Sequence, residues 1–330
     1  MKKKYLIYIL FFVMLFINTL AAGLFCECAA AANDNAASKL MVLVTGDQRG
    51  VYFYCGKRIE KILNFASKNM NLICRSTNGA LENIRLVSSQ NADCGFSQYD
   101  MLLRAQKGEA EFKGQKHDNL AVVTVLFPEV FTIVSREGVD SFAGLKGKSI
   151  STHLPGSGVR QNSDQLLEIA GLKNKVKIMS FNMKDAEKSF VAGEIDAFFT
   201  VIGMPSAAVI NPISRVKNSQ VIGLDEPIRK AAVEKIKGFV PYEIPVETYF
   251  NTQPVPTIAT FAVLFARADA DDASIKEILN TVYSLPDFST KAGLTGKVNY
   301  FSKQNAKKFL SGMKDVKIHK AALEYFKDIK

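Results

Sequence analysis

From Leu40 onward, short apolar runs alternate with stretches whose apolar positions recur every three or four residues. Leu40–Val44, Asn71–Ser76 and Ala92–Phe96 read as strands. Between and after them, Tyr52–Ala66 (apolar at Ile59, Ile62, Leu63 and Ala66), Leu81–Ser88 (Leu81, Ile84 and Val87 on one face) and Tyr99–Gln106 read as helices. Such alternation implies a mostly parallel sheet covered by helices. Two β-rich runs follow, Leu120–Leu126 and Val130–Ser135, parted by Phe127-Pro128-Glu129. The second is expected to carry the chain into another lobe. A new α/β series then begins: a turn at Gly144–Lys148, strand Ser149–Thr152, a helix ending near Ala170 with Gly171 as its stop signal, strand Val176–Ser180, helix Asp185–Ala192 closed by Gly193, strand Ile195–Val201 broken by Gly203-Met204-Pro205, and strand Val221–Leu224. The proline-rich stretch from Pro241 to Pro256 reads as a loop, and Thr257–Ala266 as a returning strand. Helical patterns at Ser274–Tyr283 and Ala306–Phe309 and an amphipathic segment from Lys317 to Phe326 end the chain. The expected class is α/β with two lobes, residues 40–133 with 257–330 and residues 134–256, hinged near Phe131–Arg136 and Thr257–Ala266.

The first 32 residues stand outside that alternation. Lys2-Lys3-Lys4 precede an apolar run from Tyr5 to Ile17, and Ala29–Ala32 offer small residues before the polar Asn33-Asp34-Asn35. That three-part pattern is expected to be a cleaved secretory signal. The run is short for a bilayer span, which needs about 20 apolar residues. A lipid anchor at Cys26 is disfavoured by the bulky Phe25 before it. Cleavage would remove three lysines and one glutamate and leave +8 of the full chain's +10. The expected location is therefore periplasmic or otherwise extracytoplasmic. The basic residues are scattered, with no dense run interleaved with aromatics, so a nucleic-acid partner is not expected; a weak positive field toward small anions is compatible with the charge.

Export makes disulfides permissible, yet Cys55, Cys74 and Cys94 form no C-x-x-C pair. Free buried thiols are expected, with a Cys74–Cys94 bond as the alternative. His117, His153 and His319 are far apart and form no metal motif, and no cofactor is expected.

The candidate chemistry lies in two glycine loops. Thr45-Gly46-Asp47-Gln48-Arg49-Gly50-Val51-Tyr52 joins a strand to a helix, and Pro155-Gly156-Ser157-Gly158-Val159-Arg160 does the same in the second half. Helix starts present free N–H groups and a positive dipole end, which suit an anion. In open α/β sheets ligands collect at the carboxyl ends of strands, which brings in Gln98 after its strand. Arg49 and Arg160 could each give a guanidinium fork for a carboxylate, with surface solvation as the competing reading.

Several motifs in fixed order then resemble the TAXI family of extracytoplasmic solute receptors, which serve TRAP transporters. They are Thr45-Gly46 with Gly50, Tyr52-Phe53 and Gly56; Ser76-Thr77-Asn78-Gly79-Ala80-Leu81-Glu82-Asn83; Gln98-Tyr99-Asp100; Leu126-Phe127-Pro128-Glu129; Leu145–Lys148; Pro155–Gly158; Gly193–Phe199; Gly203-x-Pro205; Ile244-Pro245; Thr248-Tyr249; and Val255-Pro256-Thr257. The glycine loop departs from the family at Asp47, Gln48 and Arg49, and the second loop continues with Val159 and Arg160. The resemblance implies a two-lobe periplasmic-binding-protein fold of type II, each lobe a mostly parallel sheet with flanking helices. It implies capture of a glutamate- or glutamine-like solute between the lobes and its delivery to TRAP membrane permease subunits; a monomer is expected.

The expected ligand-binding set is Gly46, Arg49, Gly50, Val51, Tyr52, Thr77, Asn83, Gln98, Gly156, Ser157, Gly158, Val159, Arg160, Phe199, Gly203 and Tyr249. Loop N–H groups would hold the anion, Asn83 and Gln98 would read other polar groups, and Tyr52, Phe199 and Tyr249 would exclude water. His153 lies beside the second loop without a visible partner and reads more readily as structural. The rival readings are a receptor for an ATP-driven importer and an exported enzyme. For the enzyme there is no Gly-x-Ser-x-Gly and no base that the sequence places beside Ser157.

Overall fold

A computed structural model describes residues 38–48, 50–284, 302–313 and 315–329. The signal-like segment and Arg49 lie outside the described residues. Ten strands form one continuous sheet. In the first part, β1 (Lys39–Val44) pairs in parallel with β2 (Met70–Arg75) and β3 (Cys94–Gln98). Helices α1 (Val51–Ala66), α2 (Ala80–Ser88) and α3 (Tyr99–Lys107) connect and cover them. Helix α1 lies close enough to the sheet that a Cβ at Gly56 would stand 2.6 Å from Thr45 Cγ2 and 2.8 Å from Cys74 Sγ, so only glycine permits that approach.

Two long strands cross from one lobe to the other. Strand β4 runs unbroken from Leu120 to Ser135, all sixteen residues buried, and β10 (Val255–Arg267) lies antiparallel to it from Leu120↔Arg267 to Val130↔Ala259. The expected break at Phe127-Pro128-Glu129 is therefore corrected to one strand. Pro128 lies opposite Phe261, beside a register shift of the ladder, and such irregularities are where a sheet tolerates a residue without an N–H.

In the second lobe, β4 pairs with β7 (Ala197–Ile202), which is parallel to β5 (Ser149–Ser151), itself parallel to β6 (Lys177–Met179). Strand β8 (Gln220–Ile222) pairs with the end of β4. Helices α4 (Gly158–Ile169), α5 (Met183–Ala192), α6 (Ala207–Arg215) and α7 (Glu226–Lys235) cover this sheet. Helices α6 and α7 were not evident in the sequence. Pro212 sits inside α6 and argues against a helix, while Pro227 near the start of α7 is a start signal. Part of the expected Pro241–Pro256 loop is a strand, β9 (Val240–Ile244), at the edge beside β10, where proline costs no ladder bond.

Helices α8 (Asp272–Tyr283), α9 (Lys303–Gly312) and α10 (Lys320–Phe326) return to the first lobe. One core gathers Leu43, Ile59, Phe96, Val123, Phe265, Ile278 and Phe326. Two more occupy opposite faces of the second sheet, around Phe131, Phe142 and Phe199 on one side and Phe190, Phe198 and Tyr249 on the other. Among the described residues no helix is long and apolar enough to cross a membrane. Cys55, Cys74 and Cys94 are free.

Candidate functional site

The first glycine loop ends at Gly50, the N-cap of α1, whose side chain can cap nothing. Gly79 leaves α2 in the same condition, with an extended backbone at φ 109° that a side chain would strain. Helix α4 is capped by Ser157, whose hydroxyl accepts from Arg160 N at 3.1 Å. These three helix starts converge on a cavity of about 290 Å³ between the lobes. Gly46, Asp47, Gly50, Val51, Tyr52, Asn78, Gly79, Ala80, Gln98 and Glu129 line it from one side. His153, Ser157–Val159, Met183, Lys184, Thr200–Ile202, Ala207, Ala208 and Asn211 line it from the other.

The lobes are in contact around it. A Cβ at Gly158 would overlap the Gln98 side chain. Arg104, ion-paired to Asp100 at 2.5 Å, also donates across the lobes to Asn162 Oδ1 at 3.0 Å.

A buried carboxyl stands in the wall. Glu129, the lone charged residue of β4, is 5% exposed, and its Oε2 accepts from the Tyr52 hydroxyl at 2.7 Å. Burial, reinforced by the negative field of Asp100, pushes this carboxyl up to about 8, against the opposing effect of the Tyr52 hydrogen bond. The Tyr52 hydroxyl is itself raised well above its usual value, chiefly by burial and then by Glu129. Two polar atoms on the opposite wall, Thr200 Oγ1 and His153 Nδ1, are buried without a hydrogen-bond partner among the described residues. Burial lowers the His153 imidazole, with Asp47 opposing, and its backbone is held at φ 72°. Orphaned buried polar atoms lining a hollow are what a site that receives polar atoms from a ligand presents. No group of three or more metal-ligating side chains occurs among the described residues.

Of the expected set, Gly46, Gly50, Val51, Tyr52, Gln98, Ser157, Gly158 and Val159 come together on the cavity wall. Arg49 lies outside the described residues, and the others are placed elsewhere. The Asn83 amide is consumed: Nδ2 donates to Thr45 O and to Phe96 O (2.8 Å), and Oδ1 accepts from Thr77 at 2.6 Å. It ties β1 to β3 instead of reading a solute. Thr77 lies in an adjoining hollow of about 510 Å³ that shares Asp47, Asn78 and Lys184 with the cavity. Arg160 grips Asp164 through Nε at 2.9 Å and Ser180 through Nη1 at 3.1 Å, off the wall. Phe199 packs against Phe131 and Phe142 in the core. Tyr249 is 1% exposed and accepts from Ser206 N at 3.1 Å. Neither screens the cavity from water. Gly156 and Gly203 are not on the wall, Gly156 serving a turn at φ 82°.

Glu129 and Thr200 were missed although a signal existed, since Glu129 is the lone charged residue of β4 and Thr200 the lone polar residue of β7. Lys184, Ala207, Ala208 and Asn211 carried no signal, because helices α5 and α6 bring them in only through tertiary packing.

The NMT1-like family model matches residues 43–329. The alkanesulfonate-binding protein SsuA from Xanthomonas axonopodis pv. citri, solved bound to MOPS, is similar at 13% identity and a TM-score of 0.51, over 88% of this chain and 85% of that one. A protein from Bordetella bronchiseptica RB50 is similar at 13% identity and a TM-score of 0.53, over 88% of this chain and 98% of that one. At such identities the likeness is one of fold: the two-lobe periplasmic-binding-protein arrangement around mostly parallel sheets.

Proposed function

The chain belongs to the NMT1-like family, and from that premise we propose that it is an extracytoplasmic solute receptor that captures a small organic anion between its lobes and hands it to a membrane importer. The observation that carries this reading is the interlobe cavity onto which three helix N-termini open, through Val51, Ala80 and Val159. Their N–H groups and dipoles favour a negative ligand. Carboxylates and sulfonates both meet that requirement; a glutamate-like solute is one member of the first class, and the SsuA neighbour binds the second. Hinge closure on strands β4 and β10 would exclude water around the bound anion. The receptor reading is preferred to an enzyme because the helix starts offer the cavity N–H groups suited to holding an anion.

Two importer classes fit the receptor. The ordered motifs from Thr45 to Arg267 support an ion-gradient-driven TRAP system. An ATP-driven importer fits the family and the sulfonate-binding neighbour at least as well. Uptake of the solute by cells would collapse on dissipating the ion gradient in the first case and on depleting ATP in the second.

Native mass spectrometry of freshly purified protein should find a co-purified anion. Small-angle scattering should give a larger radius of gyration once it is removed. If no solute co-purifies, a calorimetric panel of carboxylates and sulfonates shows no binding, and the scattering is unchanged by any of them, the receptor reading is wrong.

A further inference from the structure

The cavity wall holds one group whose chemistry the capture of an anion leaves unexplained. Glu129 places a carboxyl where an ionised one would repel the solute. Among the described residues no lysine or arginine forms an ion pair with it. The groups that face it are Tyr52 and Cys55 from α1 and Asp100 from α3, and the nearby Arg104 is committed to Asp100 and Asn162. Asp47, His153 and Lys184 lie on the wall of the same cavity. Tyr52 donates to Oε2, so the second oxygen, Oε1, is left to carry a proton. Val51, Val201 and Ile202 share the wall and make it a poor solvent for charge. Thr260, directly opposite Glu129 in the ladder, has a buried hydroxyl with no partner among the described residues, as does Thr200 on the wall.

We propose that Glu129 is a specificity-determining residue that stays protonated at neutral pH, is oriented by Tyr52, and donates a hydrogen bond from Oε1 to an acceptor oxygen of the bound solute. This rests on the reading of the cavity as an anion receptor and deepens it. A carboxylic acid kept neutral in an apolar site becomes a donor, matching the N–H groups of the helix starts. The solute is then an anion presenting acceptor oxygens to both sides of the cavity. An ammonium group opposite Glu129 is not required. Once Glu129 ionises, it loses the donor and gains a charge that repels the solute. Anion affinity should therefore fall as pH rises through about 8.

The test uses wild-type protein, Glu129→Gln and Glu129→Ala, with glutarate, L-glutamate and butane-1-sulfonate as probes in calorimetry from pH 6 to pH 9.5. Thermal unfolding confirms that each variant is folded. Infrared difference spectra of wild type against Glu129→Gln at pH 7 read the protonated carboxyl without any solute. The expected results are a protonated-carboxyl band that Glu129→Gln removes, and wild-type affinity that falls about tenfold per pH unit above about 8. Glu129→Gln, whose amide still donates, should bind within about threefold of wild type at pH 7 and show no such fall. Glu129→Ala should bind roughly tenfold more weakly. Absence of the band overturns the proposal even where a probe binds, leaving the receptor reading intact. So does a loss in Glu129→Gln as large as that in Glu129→Ala, or a preference for L-glutamate over glutarate that depends on Glu129; these would make it an ammonium receptor. Failure of every probe to bind wild-type protein overturns the anion reading and this inference with it.

Discussion

Replacing Glu129 by glutamine should change how the protein's stability depends on pH, independently of any solute. In the unfolded chain this carboxyl loses its proton near its ordinary 4.5, whereas in the folded protein burial holds the proton until about 8. Between those values the folded state binds more protons than the unfolded one, so stability falls as pH rises. The contribution is fully present below about 4.5, is lost as pH climbs through about 8, and is flat above. At about 1.4 kcal/mol per pH unit, the whole swing is on the order of 5 kcal/mol. The side chain is buried, so solvent screening does not discount it heavily. Glutamine fills nearly the same volume, keeps an oxygen for the Tyr52 hydroxyl, and cannot ionise. Urea denaturation of solute-free wild type and Glu129→Gln at pH 5 and pH 9 measures the difference. The variant should gain several kcal/mol relative to wild type between the two pH values, a midpoint separation on the order of 1–2 M. Parallel stability curves would show that Glu129 ionises near its ordinary value and would refute the argument from burial.

Asn83→Ala should lower stability by about 2–4 kcal/mol and depress the melting temperature, because Thr45 O, Phe96 O and the Thr77 hydroxyl lose a buried partner; an unchanged melting temperature would return Asn83 to the candidate binding residues. Arg104→Met should cost about 3–5 kcal/mol by leaving Asp100 buried without its counter-charge. It should also enlarge the scattering radius of solute-free protein, since the bond to Asn162 across the lobes is lost. In protein produced without residues 1–32, thiol counting under denaturing, non-reducing conditions should find three. Under native conditions Cys74 should react first, because burial raises it only to about 11 while Cys55 and Cys94 are fully enclosed and raised further.

Much of the first lobe was legible because its signals are local. The apolar run of β1, the glycine before α1 and the 3.6-residue spacing of Ile59, Ile62 and Leu63 each lie within one element. The second lobe was less legible where local and tertiary preferences conflict. Pro128 argues for a break inside β4, and Pro212 for a loop inside α6, yet Pro128 falls beside a register shift of the ladder, and Pro212 is buried between Val209 and Ile213, which join the core around Phe190 and Phe198. Phe199 and Tyr249 illustrate another limit. Aromatic residues near a glycine or a proline suit a cleft wall and a core equally well, and only packing decides.

The sequence by itself determined the α/β alternation, the two glycine loops and the helix starts that follow them, because backbone propensity and apolar periodicity act over a few residues. It also marked Gln98, Tyr52 and Ser157 by their place at strand ends and helix starts. The tertiary structure decided which of these share a cavity, and that Asn83 and Arg160 are spent on internal partners. It also gave Glu129 its unusual state. A carboxyl's affinity for its proton depends on the dielectric and the charges around it, and those are set by residues far away in the chain, here Tyr52 on α1 and Asp100 on α3, brought near only when the first lobe folds.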